Sequence, residues 1–308
     1  MDVRNGGRAL AETGDEPEAL RVVRRAGEVV TPALLACLAA LDRRQPGDFR
    51  GLAASLAQSW RSRGLRRIGL AGGQGAGKST LSRLLEAACA QLDLRVCVLS
   101  LDDYYLPRAE RFALARRVHP LFETRGPPGT HDVALCGAHL RALAAPGEVE
   151  IPVFDKGRDD RVGMRRVSGP VDLVVLEGWC VGASPLDEGS LAVPCNALER
   201  DEDPEGVWRR YQARELAGSY AALWAELEAL VFLRVPDLDC VRRWRLRQEA
   251  DRPVEHRLDA AAIDRFVAHY ERITLDLVAR LPERAEWTVE LAPDHSIASI
   301  VRRDRSLP

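Results

Sequence analysis

Short apolar runs alternate with longer helical patterns along most of this chain. The apolar runs have the length of buried strands, whereas the segments between them repeat apolar residues every three or four positions. Strands are expected at 68–71, 96–99, near 149–153, 171–176, 229–233 and 287–291. Helices are expected at about 31–44, 48–63, 78–92, 132–145, 207–228, 237–250 and 259–281. This alternation predicts an α/β fold in which helices cover both faces of a mostly parallel sheet.

Two of the helical patterns precede the first strand. Thr31 and Pro32 are typical of a helix start, as the N-cap and the first helical residue. Residues 1–20 are polar, mixed in charge and expected to form a tail. Since no repeat or low-complexity linker divides the remainder, we expect one domain over 65–308, preceded by a tail and helical extension over 1–64.

The composition is that of a soluble globular chain, with 46% hydrophobic and 29% charged residues. A net charge of −2 gives no bulk attraction to nucleic acid or to a membrane surface. The seven cysteines lack the spacing of zinc or redox pairs and are expected to be buried thiols. Neither a signal-peptide pattern nor an apolar run of roughly 20 residues is present, so we expect a cytoplasmic protein without nucleic-acid or membrane partners. The oligomeric state stays open.

Lysine is scarce in this chain. Of 44 lysines and arginines, only Lys78 and Lys156 are lysines. The two are therefore candidates for positions where a compact ammonium fits and a planar guanidinium does not.

Lys78 belongs to a G-x-x-x-x-G-K-S loop between a predicted strand and a predicted helix, which is the context this motif requires. The glycines allow backbone N–H groups to face a phosphate, Lys78 would bridge the β- and γ-phosphates, and the Ser79 hydroxyl would bind Mg²⁺. A chance glycine-rich turn is the alternative. The predicted nucleotide-binding residues are Gly72, Gly73, Gln74, Gly75, Ala76, Gly77, Lys78, Ser79 and Thr80. The motif predicts the three-layer sandwich of a P-loop NTPase.

Three carboxylates follow buried strands at the same edge of the predicted sheet. Glu177 ends the strand 171–176, where it could hold Mg²⁺ directly or through water, or could be a solvated strand-end acid. Asp102 and Asp103 follow the second strand, where a carboxylate could accept a proton from an attacking hydroxyl or orient it near Mg²⁺. The spacing does not choose between the two, and Asp102 could instead cap the next turn.

Two further segments carry candidate cations. Arg125 begins a rigid Gly-Pro-rich turn that could place it at a pocket rim, and His131 in the same turn is more often structural than functional. Arg242 and Arg245 share one face of a predicted helix, and an arginine on a lid can stabilise a transferring phosphoryl group. Most arginines in so arginine-rich a chain must be solvated. We therefore expect only one or two of the four arginines in the segment 242–249 to have a functional role.

The order of the motifs resembles that of the D-glycerate 3-kinase branch of the P-loop small-molecule kinases, over roughly residues 65–300. This branch is grouped with phosphoribulokinase, uridine kinase and bacterial pantothenate kinase. The segments that carry the resemblance are the glycine loop, 99–106 (Leu-Ser-Leu-Asp-Asp-Tyr-Tyr-Leu), 125–132 (Arg-Gly-Pro-Pro-Gly-Thr-His-Asp), 154–156 (Phe-Asp-Lys), 176–179 (Leu-Glu-Gly-Trp), 244–249 (Trp-Arg-Leu-Arg-Gln-Glu), 266–272 and 281–285.

The resemblance implies roles for individual residues. It makes Asp102 the base or hydroxyl-orienting group, also close to the metal, and Glu177 the Mg²⁺-associated carboxylate. It makes Lys78 and Arg245 the groups that neutralise the transferring phosphoryl group, with Arg245 in a helical lid at about 240–260. The residues implied on the acceptor side are Asp103, Tyr105, Arg125, His131, Asp155 and Lys156.

Two departures concern the acceptor. The family tends to carry Asn after Trp208, where this chain has the run 211–214, and the lid loop 250–258 lacks the expected Gly and Met.

From the motifs and the resemblance together, we expect an ATP- and Mg²⁺-dependent kinase of a small hydroxylated metabolite, with D-glycerate giving 3-phosphoglycerate as the leading acceptor. A nucleoside or a pantothenate-like acceptor is the alternative, and a non-kinase P-loop NTPase acting with a protein partner is a third possibility.

Overall fold

The computed structural model describes residues 16–250, 257 and 259–303, and in this part of the chain the strands form one six-stranded sheet and a separate hairpin. The strands are β1 (Arg67–Gly72), β2 (Val96–Ser100), β3 (Gly147–Asp155), β4 (Asp160–Gly169), β5 (Leu173–Gly178), β6 (Ala229–Arg234), β7 (Trp287–Leu291) and β8 (Ile297–Arg302). The large sheet has the order β2-β5-β1-β6-β7-β8, in which only β8 runs antiparallel to its neighbour. The predicted mostly parallel sheet is confirmed.

Helices cover both faces of this sheet. The helices of the described ranges are α1 (Glu16–Arg25), α2 (Pro32–Ala40), α3 (Gly47–Arg63), α4 (Lys78–Ala90), α5 (Arg108–Arg117), α6 (Val133–Ala142), α7 (Glu188–Ala192), α8 (Ala197–Glu202), α9 (Val207–Glu215), α10 (Ala221–Trp224), α11 (Leu238–Ala250), α12 (Ala260–Ala268) and α13 (Glu271–Arg280). No helix within the described ranges is long and apolar enough to cross a membrane.

The register of the parallel strands brings their carboxyl ends together. Glu177 pairs with Leu70 of β1 on one side and with Ser100 of β2 on the other. Every residue of β5 is buried, as expected of a central strand with helices on both faces. The edge formed by these strand ends is where ligands bind in open α/β sheets.

The region 147–169 differs from the expectation. The strand predicted near 149–153 exists, but it pairs with β4 in an antiparallel hairpin outside the large sheet. β4 was not predicted because its sequence is rich in charge and glycine and its side chains are largely exposed. The hairpin turn contains Asp159 in a left-handed conformation (φ 57°).

The segment before β1 is more ordered than the sequence suggested. α1 starts within the expected tail and packs on α3. The two backbones approach so closely that a Cβ added to Gly51 of α3 would lie 2.3 Å from the carbonyl oxygen of Ala19 in α1. α3 in turn packs on α4, the helix that follows the glycine loop. Residues 1–15 of the expected tail lie outside the described residues.

Two long predicted helices are interrupted. The one at 207–228 consists of α9, a π-helical turn at 216–220 and α10. The one at 259–281 breaks between α12 and α13 at His269 and Tyr270. Helical periodicity alone does not reveal these breaks, since they depend on packing against other parts of the chain.

Candidate active site

The glycine loop runs from the end of β1 into α4. Gly75 and Gly77 have positive φ angles of 78° and 88°, which L side chains rarely adopt. A Cβ on Gly75 would lie 2.8 Å from Cβ of Trp244, and one on Gly77 would lie 2.9 Å from the Phe49 ring. The loop therefore requires glycine at both positions, and its backbone N–H groups at the helix start form a cradle of the kind that binds phosphate.

Lys78 is the first residue of α4, and its ammonium donates to the carbonyl oxygens of Gly72 (2.8 Å) and Gly73 (3.1 Å). Burial lowers the pKa of Lys78, while the nearby carboxylates of Glu177 and Asp102 oppose this shift. A cation is thus held against the phosphate cradle.

The loop forms one wall of a cleft of about 570 Å³. Predicted site residues that line this cleft are Gln74, Gly75, Gly77, Lys78, Ser79, Thr80, Asp102, Asp103, Tyr105, Arg125, Lys156, Glu177 and Arg245. Lining residues that were not singled out from the sequence are Ser100, Phe154, Trp179, Gln248, Glu249, Phe266 and Tyr270. Each of these seven lies in a segment that carries the family resemblance. The resemblance therefore pointed to the segments but did not single out these residues within them.

Asp102 lies between two donors in this cleft. Its carboxylate oxygens are 2.6 Å from Nζ of Lys156 and 2.7 Å from the hydroxyl of Tyr105, which donates to it. Burial disfavours the charged form of Asp102, but Lys156 and Tyr105 together outweigh this effect and hold its pKa at about 2. Asp102 is therefore a carboxylate at neutral pH, with a cation beside it.

The neighbouring Asp103 makes a different contact. Its carboxylate accepts a hydrogen bond of 3.2 Å from the backbone N–H of Phe154 in the hairpin. Burial raises the pKa of Asp103, and the Phe154 N–H opposes this shift. Of the two adjacent acids, Asp103 ties the hairpin to the end of β2, whereas Asp102 faces Lys156 and Tyr105.

Glu177 lies on the loop side of the cleft and is only 8% exposed. It accepts a hydrogen bond of 2.6 Å from the Ser100 hydroxyl, and burial raises its pKa while Lys78 opposes the rise. Within the described ranges no group of three or more His, Cys, Asp or Glu side chains could hold a metal ion by itself. Ser79, Asp102 and Glu177 do offer the hard oxygen ligands that suit Mg²⁺, which is usually held by one or two carboxylates together with substrate phosphates.

Arg125 and its neighbours close the other end of the cleft. The Arg125 guanidinium forms an ion pair with Asp159 and lies 5.6 Å from the centroid of the Phe154 ring. The Tyr270 hydroxyl donates to the Arg125 carbonyl oxygen at 2.7 Å. This contact places Tyr270, from the break between α12 and α13, in the cleft wall.

Two predicted acceptor-side residues are not in the cleft lining. His131 is buried behind Tyr105, with ring centroids 4.8 Å apart, and its Nδ1 lies 2.6 Å from the Tyr220 hydroxyl. Burial lowers the pKa of His131 to about 4, so the ring is neutral at physiological pH. Asp155 is the last residue of β3, and its carboxylate accepts the N–H groups of Gly157 and Arg158 in the hairpin turn.

Arg245 reaches the cleft from α11. Its guanidinium lies 2.5 Å from a carboxylate oxygen of Glu249 and 4.9 Å from the centroid of the Phe266 ring. The preceding Trp244 stacks on His295, whose Nε2 donates to the Gly75 carbonyl oxygen at 2.9 Å. α11 thus contacts the glycine loop through Trp244. Residues 251–256 and 258 of the expected lid loop lie outside the described residues.

No protein-family model matches the chain, but the chain is similar to several known kinases. The chain is 34% identical over 219 residues to the uncharacterized kinase mug58 of Schizosaccharomyces pombe, covering 66% of this chain and 77% of that one. It is 31% identical over 198 residues to the chloroplastic D-glycerate 3-kinase of Arabidopsis thaliana, covering 59% of this chain and 40% of the plant protein. A uridine kinase of Alkaliphilus metalliredigens is 32% identical over 118 residues.

Solved structures show the same fold. A D-glycerate 3-kinase from Cryptococcus neoformans superposes with a TM-score of 0.69 at 24% identity, covering 82% of this chain and 99% of that one. The YGR205w protein superposes with a TM-score of 0.67 at 22% identity, covering 83% and 98%.

The fold and the phosphate-binding loop define a P-loop kinase of small molecules, which uses ATP as the phosphoryl donor. More narrowly, the chain belongs to the family of these kinases that includes the D-glycerate 3-kinases.

Proposed function

We propose that this kinase transfers the γ-phosphoryl group of ATP to the O3 hydroxyl of D-glycerate and so forms 3-phosphoglycerate. The observation that carries the proposal is the pairing of Lys156 with Asp102 at 2.6 Å, opposite the glycine loop. An acceptor with a carboxylate needs a cation close to the group that receives its hydroxyl proton. Lys156 and Arg125 supply cations in the same cleft as Asp102.

Each residue has a stated part in the reaction. The O3 hydroxyl oxygen attacks the γ-phosphorus atom, the bond to the β–γ bridging oxygen breaks, and the hydroxyl proton passes to Asp102. Lys78, against the β- and γ-phosphates, and Arg245, from α11, stabilise the charge of the transferring group. The residues from 72 to 80 hold the phosphates of ATP.

Mg²⁺ would be held by Ser79 and Glu177, with Asp102 close by, and it would neutralise phosphate charge during the transfer. The assignment is supported by the oxygen-rich set of side chains in this part of the cleft. The Ser100 hydroxyl would keep Glu177 oriented through their 2.6 Å hydrogen bond.

We also propose that the segment from about 240 to 260 acts as a lid on a kinase domain of residues 65–308, with residues 1–64 as a helical extension. Arg245 and Phe266 lie on either side of the lid loop and both line the cleft. Closure of the segment would exclude water, which otherwise competes with the acceptor for the phosphoryl group.

The acceptor is tested by measuring ADP formation with D-glycerate, uridine and pantothenate in parallel. We expect D-glycerate to stimulate ADP formation far above the acceptor-free rate and 3-phosphoglycerate to accumulate in equal amount. If uridine or pantothenate stimulates the enzyme and D-glycerate does not, the proposed acceptor is wrong. Uridine is included because the chain also matches a uridine kinase over part of its length.

A further inference from the structure

A second groove opens from the acceptor end of the cleft. It encloses about 750 Å³ and shares Arg125, Lys156, Arg245 and Phe266 with the cleft that holds the glycine loop. Pockets that take drug-sized ligands measure about 300–1,000 Å³. A three-carbon acid bound at Asp102 would leave this groove unfilled.

Hydrogen bonds from a buried arginine tie one wall of the groove to the rest of the chain. Arg111 has no solvent exposure, and its guanidinium donates to the Asp159 carbonyl (2.6 Å), the Asp159 carboxylate (2.8 Å) and the Glu123 carbonyl (2.6 Å). The same Asp159 carboxylate pairs with Arg125. Two arginines therefore hold Asp159, the turn residue with a left-handed conformation, against the segment that follows α5.

Cationic side chains outnumber acidic ones in the lining of the groove. Its lining includes five cationic side chains, which are four arginines and Lys156, and three acidic side chains. Most of these charges already have a partner, because Arg125 pairs with Asp159, Lys156 with Asp102 and Arg245 with Glu249, and two backbone N–H groups bind Asp155. Glu123 is exposed, as are Arg108 and Arg158, so solvent and salt screen all three charges.

Among the cationic side chains of the groove, Arg108 has the fewest polar contacts with other described residues. Its guanidinium lies 5.3 Å from the centroid of the Phe112 ring and makes no side-chain hydrogen bond or ion pair with another described residue. Its backbone N–H donates to the Asp160 carboxylate at 3.0 Å, which fixes the start of α5 beside the hairpin. Arg158 lies in the same groove, and its guanidinium is 3.8 Å from Asp155 and 78% exposed.

We infer that this groove is a second acceptor subsite, which binds a carboxylate or phosphate group of an acceptor longer than a three-carbon acid. In such a compound the hydroxy-acid end lies at Asp102 and Lys156, and the distal anion lies at Arg108. The inference rests on the proposed function, because it takes Lys156 and Arg125 as the site of the first carboxylate. It extends the substrate class from D-glycerate to hydroxy acids that carry a second anionic group.

Direct binding to the full-length protein tests the subsite without turnover. Calorimetric titrations, with a non-hydrolysable ATP analogue present, would compare α,ω-dicarboxylates from malonate to pimelate with monocarboxylates of the same carbon number. A parallel series of ω-phosphonocarboxylates distinguishes a carboxylate-binding from a phosphate-binding subsite. At the chain length that spans the two sites we expect the doubly anionic compound to bind about tenfold more tightly or better, as for a hydrogen bond between charged groups.

Two variants locate the effect. Arg108→Gln should abolish the gain in affinity from the second anion, so that the doubly and singly anionic compounds bind about equally tightly. Arg166→Gln, on strand β4, changes the net charge equally, but Arg166 lies outside the groove and pairs with Glu150, so the gain should persist. The subsite is refuted if no doubly anionic compound gains affinity at any length, or if the gain survives Arg108→Gln. Because binding is read directly, failure of D-glycerate as an acceptor would leave this result interpretable.

Discussion

The ammonium of Lys156 lies 2.6 Å from a carboxylate oxygen of Asp102, and the hydroxyl of Tyr105 donates to the other oxygen at 2.7 Å. Asp102 follows strand β2 of the large sheet, whereas Lys156 is in the turn of the separate hairpin. Lys156 is 60% exposed, so its charge is accessible from the cleft while it pairs with Asp102. An acceptor carboxylate could share this ammonium and bring its hydroxyl to Asp102.

The first prediction separates the two adjacent acids. Asp102→Asn should lower kcat by about 10²- to 10⁴-fold, the usual contribution of a general base, while the protein still binds ATP. Asp103→Asn should cause a much smaller loss, because an amide oxygen can still accept the N–H of Phe154. The measurements are steady-state kinetics with D-glycerate and a nucleotide titration of each variant. Full activity of the Asp102→Asn variant would show that Asp102 is not the base.

The second prediction concerns the shape of the cation at position 156. Lys156→Met should raise the KM for the acceptor by about tenfold or more, since a charge-assisted hydrogen bond is lost. Lys156→Arg keeps the charge but not the compact geometry, and we expect it to restore only part of the acceptor affinity. KM and kcat are measured for both variants. Unchanged values in Lys156→Arg would mean that a guanidinium serves equally well.

The third prediction concerns pH. In the wild type the pKa of Asp102 is about 2, so this base stays ionised at any pH used for assay. In Lys156→Met, burial is no longer opposed by the lysine charge, and the Asp102 pKa should rise. A base works only when deprotonated, so activity is then lost as pH falls through the raised pKa.

A profile of kcat/KM for the acceptor from about pH 5 to pH 9 measures this effect. The wild type should show no acidic limb from Asp102 in this range, whereas such a limb should appear in Lys156→Met. Lys156→Arg is the matched control, because it retains a positive charge beside Asp102 and should show no such limb. Superimposable profiles for Lys156→Met and the wild type would show that Lys156 does not set the Asp102 pKa.

Part of this site could be predicted from the sequence because its signals are local. The glycine loop is bounded by its own strand and helix, and Glu177 ends an apolar run, so the sheet edge and these residues could be placed without tertiary information. Adjacent Asp102 and Asp103 could not be distinguished, because their difference arises from contacts with Lys156 and Phe154 across the hairpin.

The remaining contacts depend on segments whose sequence pattern is misleading. Strand β4 lacks an apolar run because one side of the hairpin faces solvent, so the turn that presents Lys156 was not anticipated as part of a hairpin. Tyr270 falls at a break in what periodicity predicts to be one continuous helix, and its hydroxyl contacts the Arg125 carbonyl far away in the sequence. Long-range pairings of this kind leave no period in the sequence.

The fourth prediction tests the wall built by Tyr270. A Cβ at Gly126 would lie 2.2 Å from the Tyr270 hydroxyl, and Gly126 has a positive φ of 111°. Gly126→Ala should therefore destabilise the protein by about 1–3 kcal/mol and raise the acceptor KM, because Tyr270 must move away from the cleft. Gly163→Ala is the matched control, since a Cβ there meets nothing within 4 Å and the φ is not positive. Thermal unfolding and acceptor kinetics of both variants provide the comparison. Equal melting temperatures and KM values in the two variants would contradict the close contact between Gly126 and Tyr270.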